Sequence, residues 1–151
     1  MTLDELRGAA AALVGDERNA VANMANLASL LYNSIDRVNW LGFYVLRGTE
    51  LVLGPFQGKP ACVRITPGKG VCGTALARME TLVVDDVEAF PGHIACDGAS
   101  RSEIVVPFAS GDASGLLDVD SPVIARFGSD EKRFFEEIVR ILVAGSDPVT
   151  Y

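Results

Sequence analysis

The sequence predicts an α+β domain, an antiparallel β-sheet flanked by helices, on three observations. Helical and strand patterns alternate in blocks, as helix, strands, helix, strands, helix. The connections within the strand blocks are short, which suits hairpins and not the dozen or more residues of a parallel crossover. A chain of 151 residues is also about one domain's worth, long enough to enclose a substantial core.

The elements follow in order. In "RNAVANMANLASLLYNSID", Val21, Met24, Ala28, Leu31 and Ile35 recur at steps of three and four, one stripe of an amphipathic helix with Asp16 as candidate N-cap. "NWLGFYVLRGTELVLGPF" alternates, turns at Arg47-Gly48-Thr49 and resumes at Leu51, a β-hairpin. "ACVRI" reads as a short strand, "VCGTALARM" as a short helix and "TLVV" as a strand. The span 85–102 is irregular and long enough to suggest a functional loop. Strands "EIVVPFA" and "SGLLDVDS" come next, neighbours in the sheet. The last helix, "SDEKRFFEEIVRILV", takes Ser129 as N-cap and puts Asp130 and Glu131 where the helix dipole favours them. Its predicted buried face is Phe134, Phe135, Ile138, Ile141 and Leu142.

Composition narrows the function. Thirteen basic against twenty acidic side chains leave a net charge of −7, which argues against a nucleic-acid partner, since phosphate binding draws on Lys and Arg. Apolar residues make up 49 % and no run approaches the roughly 18 needed for a membrane span. The opening "MTLDELRGAAAALVGDERN" becomes Ala-rich, but acids flank that run and no basic leader opens it. A cytoplasmic protein is the expectation. Three cysteines, an odd number, make a structural disulfide framework improbable and leave reactive, metal-binding or buried thiols.

Cys62, Cys72, Cys96 and His93 could in principle make a tetrahedral zinc site, but only the His93–Cys96 spacing resembles the close ligand pairs such sites show. A thiol redox site needs a nucleophile and a second cysteine to capture the oxidised sulfur. Cys96 sits in a small-residue loop, Cys62 in the predicted "ACVRI" strand, and Cys72 in "GKGVCGTA", a helix start whose N–H groups could lower a thiol pKa. A small buried residue is the alternative for each. His93 alone carries no catalytic role.

In "LLDVDSP", Asp118 and Asp120 project from one strand face and Leu117 and Val119 from the other. That acidic face is either solvated or lines a pocket for an ammonium or a proton transfer, and Glu103 on the neighbouring strand is a third candidate. Trp40 and Tyr44 also share a face, either as core packing or as an apolar wall for a methyl or thioether group.

Together "NWLGFY", "LVLGPFQGKPACVRI", "GKGVCGTA", "LVVDDVEAFPGHIACD", "SRSEIVVP" and "LLDVDSP" closely resemble the free methionine-(R)-sulfoxide reductases, enzymes built on a single GAF domain. The resemblance runs over about residues 20–140, within one GAF-type domain spanning 1–151. It implies reduction of free methionine-(R)-sulfoxide with little activity on the peptide-bound form. It makes Cys96 the nucleophile, Cys62 the usual resolving thiol and Cys72 the third family cysteine. A sulfenic acid on Cys96 would condense with Cys62 to a disulfide that thioredoxin reduces, itself recycled by thioredoxin reductase and NADPH. Glu103, Asp118 and Asp120 would hold the substrate ammonium and assist protonation of the sulfoxide oxygen. Trp40, with Tyr44 nearby, would pack on the substrate methyl. The family implies no bound cofactor or metal, and suggests a homodimer. Two departures stand out: "ASGDASG" looks a residue short, and Gly98 replaces a bulkier small residue in the loop carrying Cys96.

Overall fold

Two tight hairpins organise the chain. In a computed structural model that describes residues 1–93 and 98–149, β1 (Trp40–Arg47) and β2 (Glu50–Gly58) turn through Gly48 and Thr49, while β5 (Ser102–Ser110) and β6 (Ala113–Ser121) turn through Gly111 and Asp112. Pairing of β1 with β6 joins the hairpins, and β3 (Arg64–Ile65) and β4 (Leu82–Val84) add the edges. The six-stranded sheet has the order β3-β2-β1-β6-β5-β4, and each adjacent pair is antiparallel.

Strict alternation along the central strands separates two cores. Leu41, Phe43 and Val45 of β1, Ile104 and Val106 of β5, and Leu117 and Val119 of β6 face the larger one. Three helices cover it: α1 (Leu3–Val14), α2 (Ala20–Ser34) and α4 (Ser129–Gly145). Trp40, Tyr44, Val105 and Leu116 face the smaller core under α3 (Gly70–Arg78). Among the described residues no helix is long and apolar enough to cross a membrane.

Several local expectations are corrected. Helix α1 was not read from the sequence; its Ala-rich run has a weak apolar stripe, but Thr2 Oγ1 accepts the Glu5 N–H at 3.1 Å, and Arg7 pairs with Glu137 of α4 at 2.7 Å. Helix α2 is capped by Asn19, not Asp16, through a 2.9 Å bond from the Ala22 N–H. Val21 is exposed, and Leu27 joins Met24, Ala28 and Leu31 inside. Helix α4 is capped at Gly128, one residue before Ser129, because the Glu131 carboxylate reaches back to the Gly128 N–H at 3.0 Å. Its buried face includes Val139, while Ile141 is half-buried. The "ACVRI" strand shrinks to Arg64–Ile65, so Cys62 lies in the connection before it. Span 85–102 contains a short 3₁₀ turn at Val87–Ala89.

Candidate active site

Sheet register brings the acids together. Glu103 on β5 is opposite Asp120 on β6, Asp120 is opposite Trp40 on β1, and Asp118 is opposite Gly42. All three acids face the smaller core, where they line a small pocket with Trp40, Tyr44, Cys72 and His93. The same-face reading of Asp118 and Asp120 therefore holds, and the face is a pocket wall. The strand ends next to the acids are pinned: buried Ser102 donates to the Val123 carbonyl and buried Ser121 accepts the Val123 N–H at 3.0 Å. The Asn39 N–H donates to the Asp120 carbonyl at 3.0 Å, and its side-chain amide donates to Ser100, another lining residue, at 3.2 Å.

The aromatic wall has a second task. Trp40 stacks on Phe56 with centroids 5.3 Å apart and lies 6.1 Å from Tyr44. The Trp40 indole N–H donates to the Lys59 carbonyl at 3.1 Å, and the Tyr44 hydroxyl donates to the Cys62 carbonyl at 2.7 Å. Buried polar tips that find partners are the rule for such residues, and here the partners are the backbone of the segment that carries Cys62. Gly42 allows the close packing: a Cβ there would stand 2.3 Å from Phe56 Cβ and 2.8 Å from Trp40 Cη2.

Electrostatically the pocket is unusual. Glu103 and Asp118 are each only 6 % exposed. Burial, then the charges of Asp118 and Asp120, push the Glu103 carboxyl well above its ordinary range. Burial also raises Asp118, while hydrogen bonds with Glu103, Cys72 and Asp120 and the nearby His93 pull it back down. Asp118 Oδ1 is buried with no hydrogen-bond partner among the described residues. A desolvated acid holds its proton more tightly and can donate it to a reacting group, and an orphaned carboxylate oxygen can accept an ammonium.

Cys72 corrects an expectation. It lies in the first turn of α3, but it is buried, and its S–H donates to Glu103 Oε2 at 3.8 Å. Burial first, then Asp118, Glu103 and Asp120, hold its thiol well above the ordinary value, outweighing whatever the helix dipole contributes. Cys62 is half-buried and follows Pro60 and Ala61, both lining residues. Cys96 lies outside the described residues, so the zinc arrangement of three cysteines and His93 finds no geometry here.

Comparison with known proteins assigns the family. Residues 2–144 match the GAF domain. The chain is 49 % identical over 129 residues to the free methionine-R-sulfoxide reductase of Escherichia coli (strain K12), covering 85 % of this chain and 78 % of that protein. The chain belongs to the free methionine-R-sulfoxide reductases of the GAF family. Among solved structures, it superposes on the fRMsr of Staphylococcus aureus in complex with substrate at TM-score 0.91 and 48 % identity, covering 95 % of each chain. It likewise superposes on the free methionine-R-sulfoxide reductase of Neisseria meningitidis in complex with its substrate at TM-score 0.90 and 44 % identity, covering 95 % of this chain and 87 % of that one.

In this reductase Trp40, Tyr44, Cys72, Glu103, Asp118 and Asp120 line one pocket. Sequence reading missed Lys69, Val71, Ser100 and the supporting Phe56, and gave His93 no place in the site although it lines the pocket. The two glycines bracketing Lys69, both at positive φ, mark the turn that carries it; no local pattern marks Ser100 or Phe56.

Proposed function

We propose that this oxidoreductase converts free L-methionine-(R)-sulfoxide to L-methionine by the following route. The Cys96 sulfur attacks the sulfoxide sulfur while the acid cluster protonates the sulfoxide oxygen. Methionine then leaves with its thioether restored and the oxygen remains on Cys96 as a sulfenic acid. The Cys62 thiol condenses with it, expelling water and forming a disulfide, and two electrons from the dithiol of thioredoxin reopen that bond. Thioredoxin reductase and NADPH restore the thioredoxin, and no cofactor resides in the protein.

The observation that carries this reading is the buried pair Glu103 and Asp118 facing an aromatic wall in one small pocket. Sulfoxide oxygen leaves poorly until protonated, and Glu103, whose carboxyl burial and the charges of Asp118 and Asp120 push well above its ordinary range, is the proton donor of this reading. The orphaned Asp118 oxygen and Asp120 offer an anionic seat to an α-ammonium, a group absent from a methionine residue inside a peptide. Trp40 and Tyr44 supply an apolar surface for the methyl and thioether. Cys62 suits the resolving role better than Cys72, whose thiol is held protonated by burial and by three carboxyl neighbours.

The test is methionine release from the separated R and S diastereomers of free methionine sulfoxide and from a peptide-bound control, with thioredoxin, its reductase and NADPH. Turnover confined to the free R form is expected. In single turnover without reductant, Cys96→Ser should yield no methionine, whereas Cys62→Ser should yield one equivalent and then stop. Methionine formed by the Cys96→Ser variant would overturn the assignment of the nucleophile.

A further inference from the structure

Cys72, which the proposed reaction does not use, stands beside Glu103 and Asp118 in a cluster that could share one ion. One donor atom from each, the thiol sulfur and two carboxylate oxygens, lies within 4.8 Å of the other two, and all three residues are buried. The sulfur stands 3.8 Å from Glu103 Oε2. A tetrahedral zinc ion, with Zn–S near 2.3 Å and Zn–O near 2.0 Å, separates its sulfur and oxygen ligands by about 3.5 Å. The sulfur–Glu103 spacing is therefore within a few tenths of an ångström of a chelating pair, and the Asp118 oxygen lies within 4.8 Å of both atoms.

A second observation points to a ligand. Asp118 is 6 % exposed, it lines the pocket, and its Oδ1 has no hydrogen-bond partner among the described residues. Buried carboxylate oxygens are normally satisfied, and an unsatisfied one costs roughly 1–3 kcal/mol. A cation removes that cost. Water or the open pocket can supply a fourth coordination position, the arrangement of zinc sites with three protein ligands. Binding displaces the protons that Cys72 and Glu103 hold, leaving one soft thiolate and two carboxylates, a donor set that suits zinc and its like. Magnesium and calcium take oxygen ligands and would leave the thiol unused.

We propose that Cys72, Glu103 and Asp118 form a binding site for one thiophilic divalent cation of the zinc type, and that an ion held there excludes the substrate from the pocket. The site differs from the three-cysteine, one-histidine arrangement considered from the sequence, because it uses a single thiol and two acids on adjacent strands. Exclusion follows from occupancy, since the ion consumes the acids that would otherwise receive the ammonium. That second part rests on the proposed function, whereas binding of the ion does not.

The experiment uses the full chain with Cys62→Ser and Cys96→Ser, so that Cys72 is the only thiol and thiol pairing cannot interfere. Titration with Co²⁺ should saturate at one equivalent and produce a thiolate-to-cobalt charge-transfer band, and Zn²⁺ should bleach it. Zinc affinity, read by competition with a chromophoric chelator, should fall at least about tenfold on adding Cys72→Ser and, separately, Asp118→Asn. Circular dichroism checks that each variant folds. Because the cobalt band is read with Cys72, Glu103 and Asp118 all intact, it stands even if a variant does not fold. Absence of the band, or a zinc affinity indifferent to both changes, overturns the site. Free methionine-(R)-sulfoxide should weaken zinc binding in proportion to its concentration. Indifference to it, with the cobalt band present, overturns the exclusion alone. A failed turnover assay with a positive cobalt band would instead count against the proposed function.

Discussion

Burying Glu103 and Asp118 on adjacent strands sets a stability cost against a chemical capability. Both carboxyls are held above their ordinary range in the folded chain, with burial the leading cause, whereas in the unfolded chain they ionise near pH 4. Above that pH the unfolded chain has released protons that the folded chain retains. Stability therefore falls as pH rises from the ordinary carboxylate range through the folded-state values. Glu103→Gln keeps the shape and removes one of these ionisations. We expect it to raise stability at neutral pH by about 1–3 kcal/mol and to flatten the decline above pH 5. Turnover should drop by about 100-fold or more, since general acids contribute on that scale. Urea unfolding at several pH values measures the first effect and steady-state kinetics the second. A pH slope identical to the parent's would show that Glu103 is not the residue responsible.

Among elements, α3 depends most on one close approach. Gly73 lies in its first turn, and a Cβ there would stand 2.5 Å from the Thr66 carbonyl oxygen, a backbone atom that cannot swing aside. The Gly68 N–H also donates to the Gly73 carbonyl at 2.7 Å, so the turn before the helix and the helix itself are tied together. Glycine to alanine inside a helix ordinarily stabilises by about 0.5–1 kcal/mol. Here the clash reverses the sign: Gly73→Ala should cost about 1–3 kcal/mol and raise KM, because moving α3 moves Cys72 and Val71 at the pocket. Thermal unfolding and steady-state kinetics check both, and a stabilised variant with unchanged KM would refute the contact. Elements differed in how plainly the sequence announced them. Strands β5 and β6 pair in unbroken register, so the side each residue faces, Asp118 and Asp120 included, could be read at a period of two, whereas a bulge opposite Gly42–Tyr44 interrupts the alternation of β2. Helix α1 could not, because its alanines blur the stripe and only the Thr2-x-x-Glu5 capping pattern marks its start. Strand β3 is too short for any periodicity. The placing of Cys72 beside Glu103 joins a helix to a strand distant in sequence; resemblance grouped the two residues, but the burial that raises both pKa values is visible only in the fold.

At the scale of the molecule, one sheet separates stability from chemistry. The larger core, beneath α1, α2 and α4, contains none of the pocket-lining residues, whereas the smaller core, beneath α3, shares Trp40, Tyr44, Val71 and Cys72 with the pocket. A cavity made on each face should therefore have different consequences. Leu27 of α2 is fully buried in the larger core, and Leu76 of α3 is buried in the smaller. Leu27→Ala should destabilise by about 2–5 kcal/mol, since the surrounding packing relaxes only partly around the lost methyls. Its KM at temperatures where it remains folded should match the parent's, because the sheet stands between the cavity and the pocket. Leu76→Ala should cost about 2–4 kcal/mol and also raise KM, because the helix that carries Cys72 loses its apolar anchor. The check is denaturant unfolding alongside KM for both variants below their unfolding midpoints. Equal changes in KM would mean that the sheet transmits strain from one core to the other, and that the two faces are not independent.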